Sequence, residues 1–224
     1  MVEFLLLFVA VISAFSLNKW NENRKDEIAE TKILNEIING LERDIEDANM
    51  NVFGHKLGLS SCRFWSRIIE NKDVYSDSVT VHYMALTRDF ISIQNISAYE
   101  TLKSKGFELI ENDSLRTQIV ALYEFDYQIL KKLEGEYHEM QFYENYFSEF
   151  HKVIASNLLY DEKANITGIQ LPLTISNREK NILLGYVNKI QINRRYILKF
   201  YDRVIVKIND LKANIESELS HPYD

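Results

Sequence analysis

Proline and glycine are scarce, with two and seven residues in a chain of 224, far below the usual roughly 5% and 7%. Sandwiches, barrels and βαβ folds need a turn residue every few tens of positions, so this shortage excludes them and leaves an all-α fold with long helices. A single cysteine excludes a disulfide framework within the chain and any Cys-based zinc cluster. Basic residues are outnumbered 26 to 33, for a net charge of −7. That balance argues against nucleic acid as a partner, because phosphate binding requires clustered Lys and Arg. The glycines are scattered, which removes phosphate-cradling loops as well.

Catalytic patterns are equally thin. His55, His82, His138, His151 and His221 form no HExxH pair. His138 beside Glu134 and Glu139 reads as a solvated helix face rather than a metal site. Cys62 falls on an apolar stripe and reads as core, and Ser60-Ser61 precedes it without the strand-turn-helix context of a nucleophile. No cofactor, no metal and no enzymatic activity are expected.

What is present begins with an apolar run from Phe4 to Leu17, about 14 residues without a charge. At ~1.5 Å per residue it covers about 21 Å, short of the ~30 Å hydrocarbon core. Phe, Leu, Val and Ile occupy every side of this segment, whereas a helix packed on a core keeps a polar face. A signal peptide is the competing reading, with Ala14-Phe15-Ser16 as its cleavage site, but the basic residues that usually precede one are missing. The residues assigned to an uncleaved anchor are Phe4, Leu5, Leu6, Leu7, Phe8, Val9, Val11, Ile12, Phe15, Leu17 and Trp20. Trp20 sits where an interfacial aromatic belongs, with Lys19, Arg24 and Lys25 at headgroup level.

Residues 1–20 are thus expected to be a membrane anchor and 21–224 an elongated bundle. Helical periodicity runs on through Ile28, Leu34, Leu41, Ile45, Ala48, Val52, His55, Leu59, Cys62 and Ile69, predicting one long helix over 21–71. Gly54 and Gly58 fall inside it, marking a bend or a close contact with a neighbour. Short helices are expected within 79–106, one around Val79 to Phe90 and one around Ser97 to Ser104, closed by Gly106. Asn112-Asp113-Ser114 supplies N-cap chemistry for a second long helix over 114–157. A loop follows over 158–175. Ser176 and Glu179 have the spacing of a capping box that opens a third long helix over 177–219. Helices of this length with wetted apolar faces are not stable alone, so they pack side by side.

Two segments carry a family resemblance. Leu17-Asn18-Lys19-Trp20-Asn21-Glu22-Asn23-Arg24-Lys25 with Leu41-Glu42-Arg43-Asp44-Ile45, and Ala98-Tyr99-Glu100-Thr101-Leu102-Lys103-Ser104-Lys105-Gly106 with Leu109-Ile110-Glu111-Asn112, resemble a large family of small membrane-anchored proteins of unknown function from the Bacteroidota. The resemblance implies an N-terminal membrane helix, an all-helical remainder and no established activity. Members usually carry a basic segment before the anchor, and here Met1 nearly coincides with the apolar run. The flanking charges alone would keep the bundle cytoplasmic. The resemblance implies a single-pass inner-membrane protein with a periplasmic bundle, which is the side expected.

Tyr137, Phe142, Tyr143, Tyr146, Phe147 and Phe150 place aromatics on more than one face of one helical segment. Either the connecting helices cover them, or they form a contact for a protein partner or a second copy, where Tyr and Phe are favoured. The function expected is that of a membrane-anchored interaction or scaffold module in a larger envelope assembly, with the lipid bilayer and a protein as its partners. An oligomeric accessory subunit of a channel or transporter is the alternative. If the anchor is uncleaved, the intact mass of the native protein will include residues 4–17; loss of the first sixteen or so residues would identify a signal peptide instead.

Overall fold

The computed structural model describes residues 2–72 and 78–220, with the side chains of 2–5 outside the described set. Two long helices form its axis. Helix α1 (Val2–Ile69) runs without interruption from the apolar segment into the bundle, and α7 (Asn177–Ser220) returns along it. The pair is antiparallel, since Lys212 reaches Glu42 at 2.7 Å while Arg194 meets His55 at 3.0 Å. Helix α7 opens on the expected capping box. The Ser176 amide donates to Glu179 Oε2 at 2.8 Å, and the Glu179 amide donates back to Ser176 Oγ at 3.2 Å.

Against this axis lie α2 (Val79–Leu86), α3 (Ser97–Lys105), α4 (Asp113–Ala121), α5 (Tyr127–Gly135) and α6 (Ser148–Ile154). Asn112 Oδ1 accepts from the amides of Ser114 and Leu115 and so starts α4. Gly106 ends α3 at φ +102°, with its N–H bonded to the Leu102 carbonyl. A π-helical turn over Leu122–Asp126 joins α4 to α5 without a break.

The second long helix expected over 114–157 is two. The amides of Glu136 and Tyr137 both bond to the Lys132 carbonyl, ending α5 just past Gly135. A new helical start follows at Phe142, where the Asp89 carboxylate accepts from the amides of Phe142 (2.7 Å) and Tyr143 (3.4 Å). A second π-helical turn, Tyr143–Phe147, leads into α6. The break depends on a cap supplied 53 residues upstream, which local periodicity does not register. The expected loop over 158–175 contains a small antiparallel hairpin, β1 (Leu158–Tyr160) and β2 (Ile166–Ile169). Its turn is held by Asp161, whose carboxylate accepts from the amides of Lys163 and Asn165.

Helix α2 stops at Leu86, and residues 88–96 then follow without regular secondary structure along α1 as a strap. Amides facing helices without a partner are costly, and carboxylates meet them here. Glu134 accepts from the Ser92 amide, Asp47 from the Ile93 amide and Asp44 from the Asn95 amide, all at 2.8–3.0 Å. Tyr127 and Tyr201 complete the shells of Asp44 and Glu134. Burial raises the Glu134 pKa, with the hydrogen bonds from Tyr201 and Ser92 opposing.

The core falls into three stretches. The base packs Leu34, Ile37 and Leu41 against Tyr99, Ile119, Tyr123 and Ile208. The middle is narrow, with Ala48, Val52, Leu130, Ile197 and Tyr201. The head gathers Trp65, Ile68 and Ile69 with Tyr83, Phe142, Phe150, Ile154, Leu183 and Val187.

Gly54 and Gly58 of α1 mark close contacts, and the helix continues through both. A Cβ on Gly54 would run into the Phe90 ring, and one on Gly58 into the Arg194 guanidinium. Gly185, on α7, has open space around its Cβ position. Gly185→Ala should therefore stabilise the fold by about 0.5–1 kcal/mol through helix propensity. Gly58→Ala should destabilise it by about 2 kcal/mol despite the same propensity gain, as overpacking does. Denaturant melts check both signs, and a stabilised Gly58→Ala would contradict the packing around Arg194.

Candidate partner-binding surface

Two surfaces emerge from the fold, at opposite ends of α1. At the first, Leu6, Leu7, Phe8, Val9, Val11, Ile12, Phe15, Leu17 and Trp20 are all exposed, Phe15 at 71%. None of the described residues of the bundle folds back over them. The side chains of Phe4 and Leu5 lie outside the described residues. Arg24 stacks on the Trp20 ring at 5.8 Å, just past the apolar stretch. Among the described residues, no helix is long and apolar enough to cross a membrane.

The second surface is on the head, and it divides the six aromatics singled out from the sequence. Phe142, Tyr146 and Phe150 are buried, Phe142 with 1% of its surface exposed, so they belong to the core and not to a contact surface. Trp65 packs edge-on against Phe150 at 4.9 Å, and Tyr186 lies against Tyr146. Tyr137 and Tyr143 are exposed, Tyr143 at 57%, and Phe147 is half-buried. Tyr137 stands apart on the break after α5.

Tyr143 and Phe147 begin a ladder of stacked rings. Tyr143 lies 4.7 Å from Phe147 at an 11° tilt, and Phe147 lies 5.4 Å from His151 at 9°. The i, i+4 spacing places them on one face, and the π-helical turn sets its pitch. Helix α2 forms the opposite wall with Tyr83 and Met84. Tyr83 is fixed by a 2.5 Å hydrogen bond between its hydroxyl and His151 Nδ1, and burial pushes its pKa up to about 12. Met84 is 58% exposed. Between the walls lies a depression of about 270 Å3, whose remaining lining is Thr87, Arg88 and Asp89. None of these α2 and strap residues stood out in the sequence, because they belong to no motif and reach the ladder only through the tertiary fold.

Beneath the depression sits the Arg194 guanidinium, fully buried. Its Nη2 donates to the carbonyls of Ala85 (3.3 Å) and Leu86 (2.9 Å), acceptors in the last turn of α2, and of Arg88 (2.8 Å), two residues beyond it. The Phe142 ring stacks on it at 4.2 Å. Among the described residues no carboxylate forms an ion pair with it, and Nε has no hydrogen-bond partner. Burial lowers its pKa to about 10, so it stays charged. Its Nη1 donates to His55 Nδ1, which places the proton of the neutral ring on Nε2. Burial first, and the Arg194 cation second, lower the His55 pKa to about 3. Cys62, close by and buried, has its thiol pushed up to about 11 by burial. The sequence did carry one sign of this centre, since Arg194 occupies the core position between Ile190 and Ile197 on the α7 stripe.

Among the described residues, no group of three or more His, Cys, Asp or Glu is placed to hold a metal ion. His138 is exposed, and His221 lies outside the described residues. No protein-family model, no curated protein and no solved structure matches the chain.

The His55 geometry predicts an acid response. A histidine whose folded pKa is below its unfolded value stabilises the fold above about pH 6.5 and loses that contribution as pH falls toward 3. The slope reaches at most about 1.4 kcal/mol per pH unit. In His55→Asn, whose amide oxygen replaces Nδ1 as acceptor, stability at pH 7 should drop by about 1–2 kcal/mol. The fall between pH 6 and pH 4 should become shallower than in the parent. Urea titrations at stepped pH test this, and parallel pH profiles would show that His55 is not the titrating group.

Proposed function

We propose that the chain is a membrane-anchored helical interaction module, with its apolar N-terminal segment buried in the bilayer and its head docking a protein subunit of an envelope assembly. One observation carries the reading. Residues 6–17 expose apolar side chains on all sides of a helix that the bundle does not cover, and a wetted surface of this kind is unstable in water. The neighbouring Trp20, with Arg24 stacked on it, suits a headgroup layer. A run shorter than the hydrocarbon thickness is accommodated by local thinning and by Lys19 reaching toward the headgroups. The resemblance in the juxtamembrane and Tyr99–Gly106 segments agrees with a single-pass inner-membrane protein whose bundle is periplasmic. No catalytic step is assigned.

Flotation with phospholipid vesicles tests the anchor. The full chain should float and resist carbonate extraction. Val9→Glu combined with Ile12→Glu should move it to the soluble fraction with an unchanged melting temperature, because neither side chain contributes to the bundle. A wild-type chain that stays soluble without detergent, or a double variant that still floats, would refute the anchor.

A further inference from the structure

We infer that the depression between α2 and the Tyr143–Phe147 turn docks a peptide segment of a partner protein in which a large apolar side chain is followed closely by a carboxylate. This rests on reading the head as a docking end, and it adds the chemistry of what docks there. The volume, about 270 Å3, suits one or two large side chains. Its walls are the rings of Tyr83, Tyr143 and Phe147 and the thioether of Met84. These walls are largely preformed, since Tyr83 is pinned to His151 and the Tyr143–Phe147–His151 ladder is stacked, so little ordering entropy opposes binding.

The charge at the rim selects the occupant. Of its two ionic residues, Asp89 is already engaged, accepting the amides of Phe142 and Tyr143. Arg88 is exposed, and among the described residues its guanidinium forms no ion pair or hydrogen bond. Its backbone is held in place because Arg194 binds its carbonyl. A free guanidinium at the edge of an apolar pocket complements a carboxylate presented beside an apolar anchor. A lysine at the same place in the peptide would meet like charge.

The full chain, held in mild detergent, is probed with an array of heptapeptides in which Trp, Phe, Tyr, Leu or Met is followed at the next one or two positions by Glu, Gln or Lys. Glu-bearing members should bind at least about tenfold more tightly than their Lys counterparts. Arg88→Gln should erase that preference while keeping the order among apolar anchors, and Met84→Glu should remove binding. Both variants should melt as the parent does, since both side chains are exposed. Absence of binding by any peptide, a preference for Lys, or a Glu preference that survives Arg88→Gln would each overturn the proposal. Competition by free N-acetyl-tryptophan as strong as by the peptides would overturn it too, pointing to a small carboxylate ligand. Vesicle flotation of Arg88→Gln keeps the membrane reading separate, because the anchor is untouched by that substitution.

Discussion

The head is organised around one buried cation. Arg194 closes α2 by donating to the carbonyls that its last turn leaves open, and in doing so it fixes where the strap begins. Desolvating a guanidinium is expensive. Here the expense is offset by carbonyl dipoles at a helix C-terminus, by the face of Phe142 and by a neutral His55, with no carboxylate among the described residues in the ion-pair shell. The geometry has no slack. Only glycine at position 58 leaves room for the guanidinium, and burial together with the Arg194 cation holds His55 in the neutral form that accepts beside it. Helix α2, the start of α6 and the ring ladder are therefore tied to the same centre, through Arg88 and Asp89.

The strap shows a second use of charge. An irregular segment between helices has no ladder to satisfy its amides, and Asp44, Asp47 and Glu134 act as that ladder from the facing sides of α1 and α5. Carboxylates accept several donors at once, so three side chains serve three amides, two tyrosine hydroxyls and the polar tips of Ser92 and Asn95. The middle of the bundle, where the apolar core is thinnest, is thereby held in part by polar contacts.

The fold class and the helix ends were legible in the sequence wherever the determining contact is local. The Ser176–Glu179 capping box, the Asn112 cap and the Gly106 terminus each involve residues within a few positions, and all three take their expected places. The break between α5 and α6 was hidden because Asp89, which starts the later helix, is distant in sequence. Burial of Phe142, Tyr146 and Phe150 was hidden for a related reason: periodicity shows that a helix has apolar faces without showing how many neighbours cover them. Arg194 was readable in principle, as a charged residue on an apolar stripe. The depression was not, since Tyr83, Met84 and Arg88 meet Tyr143 only once Arg194 has pinned the end of α2.

The continuity of α1 has a mechanical meaning. From Trp20 to Ile69 it is one hydrogen-bonded rod of about 75 Å at the usual rise, with no glycine–proline joint to absorb rotation. The exposed apolar segment is the near end of that same rod, so whatever grips residues 6–17 also steers the head. A tilt of about 10° at the grip would sweep the Trp65 end sideways by roughly 13 Å, by simple lever geometry on the helical rise. The molecule is thus built as a boom, in which the height and bearing of the far end are set at the near one.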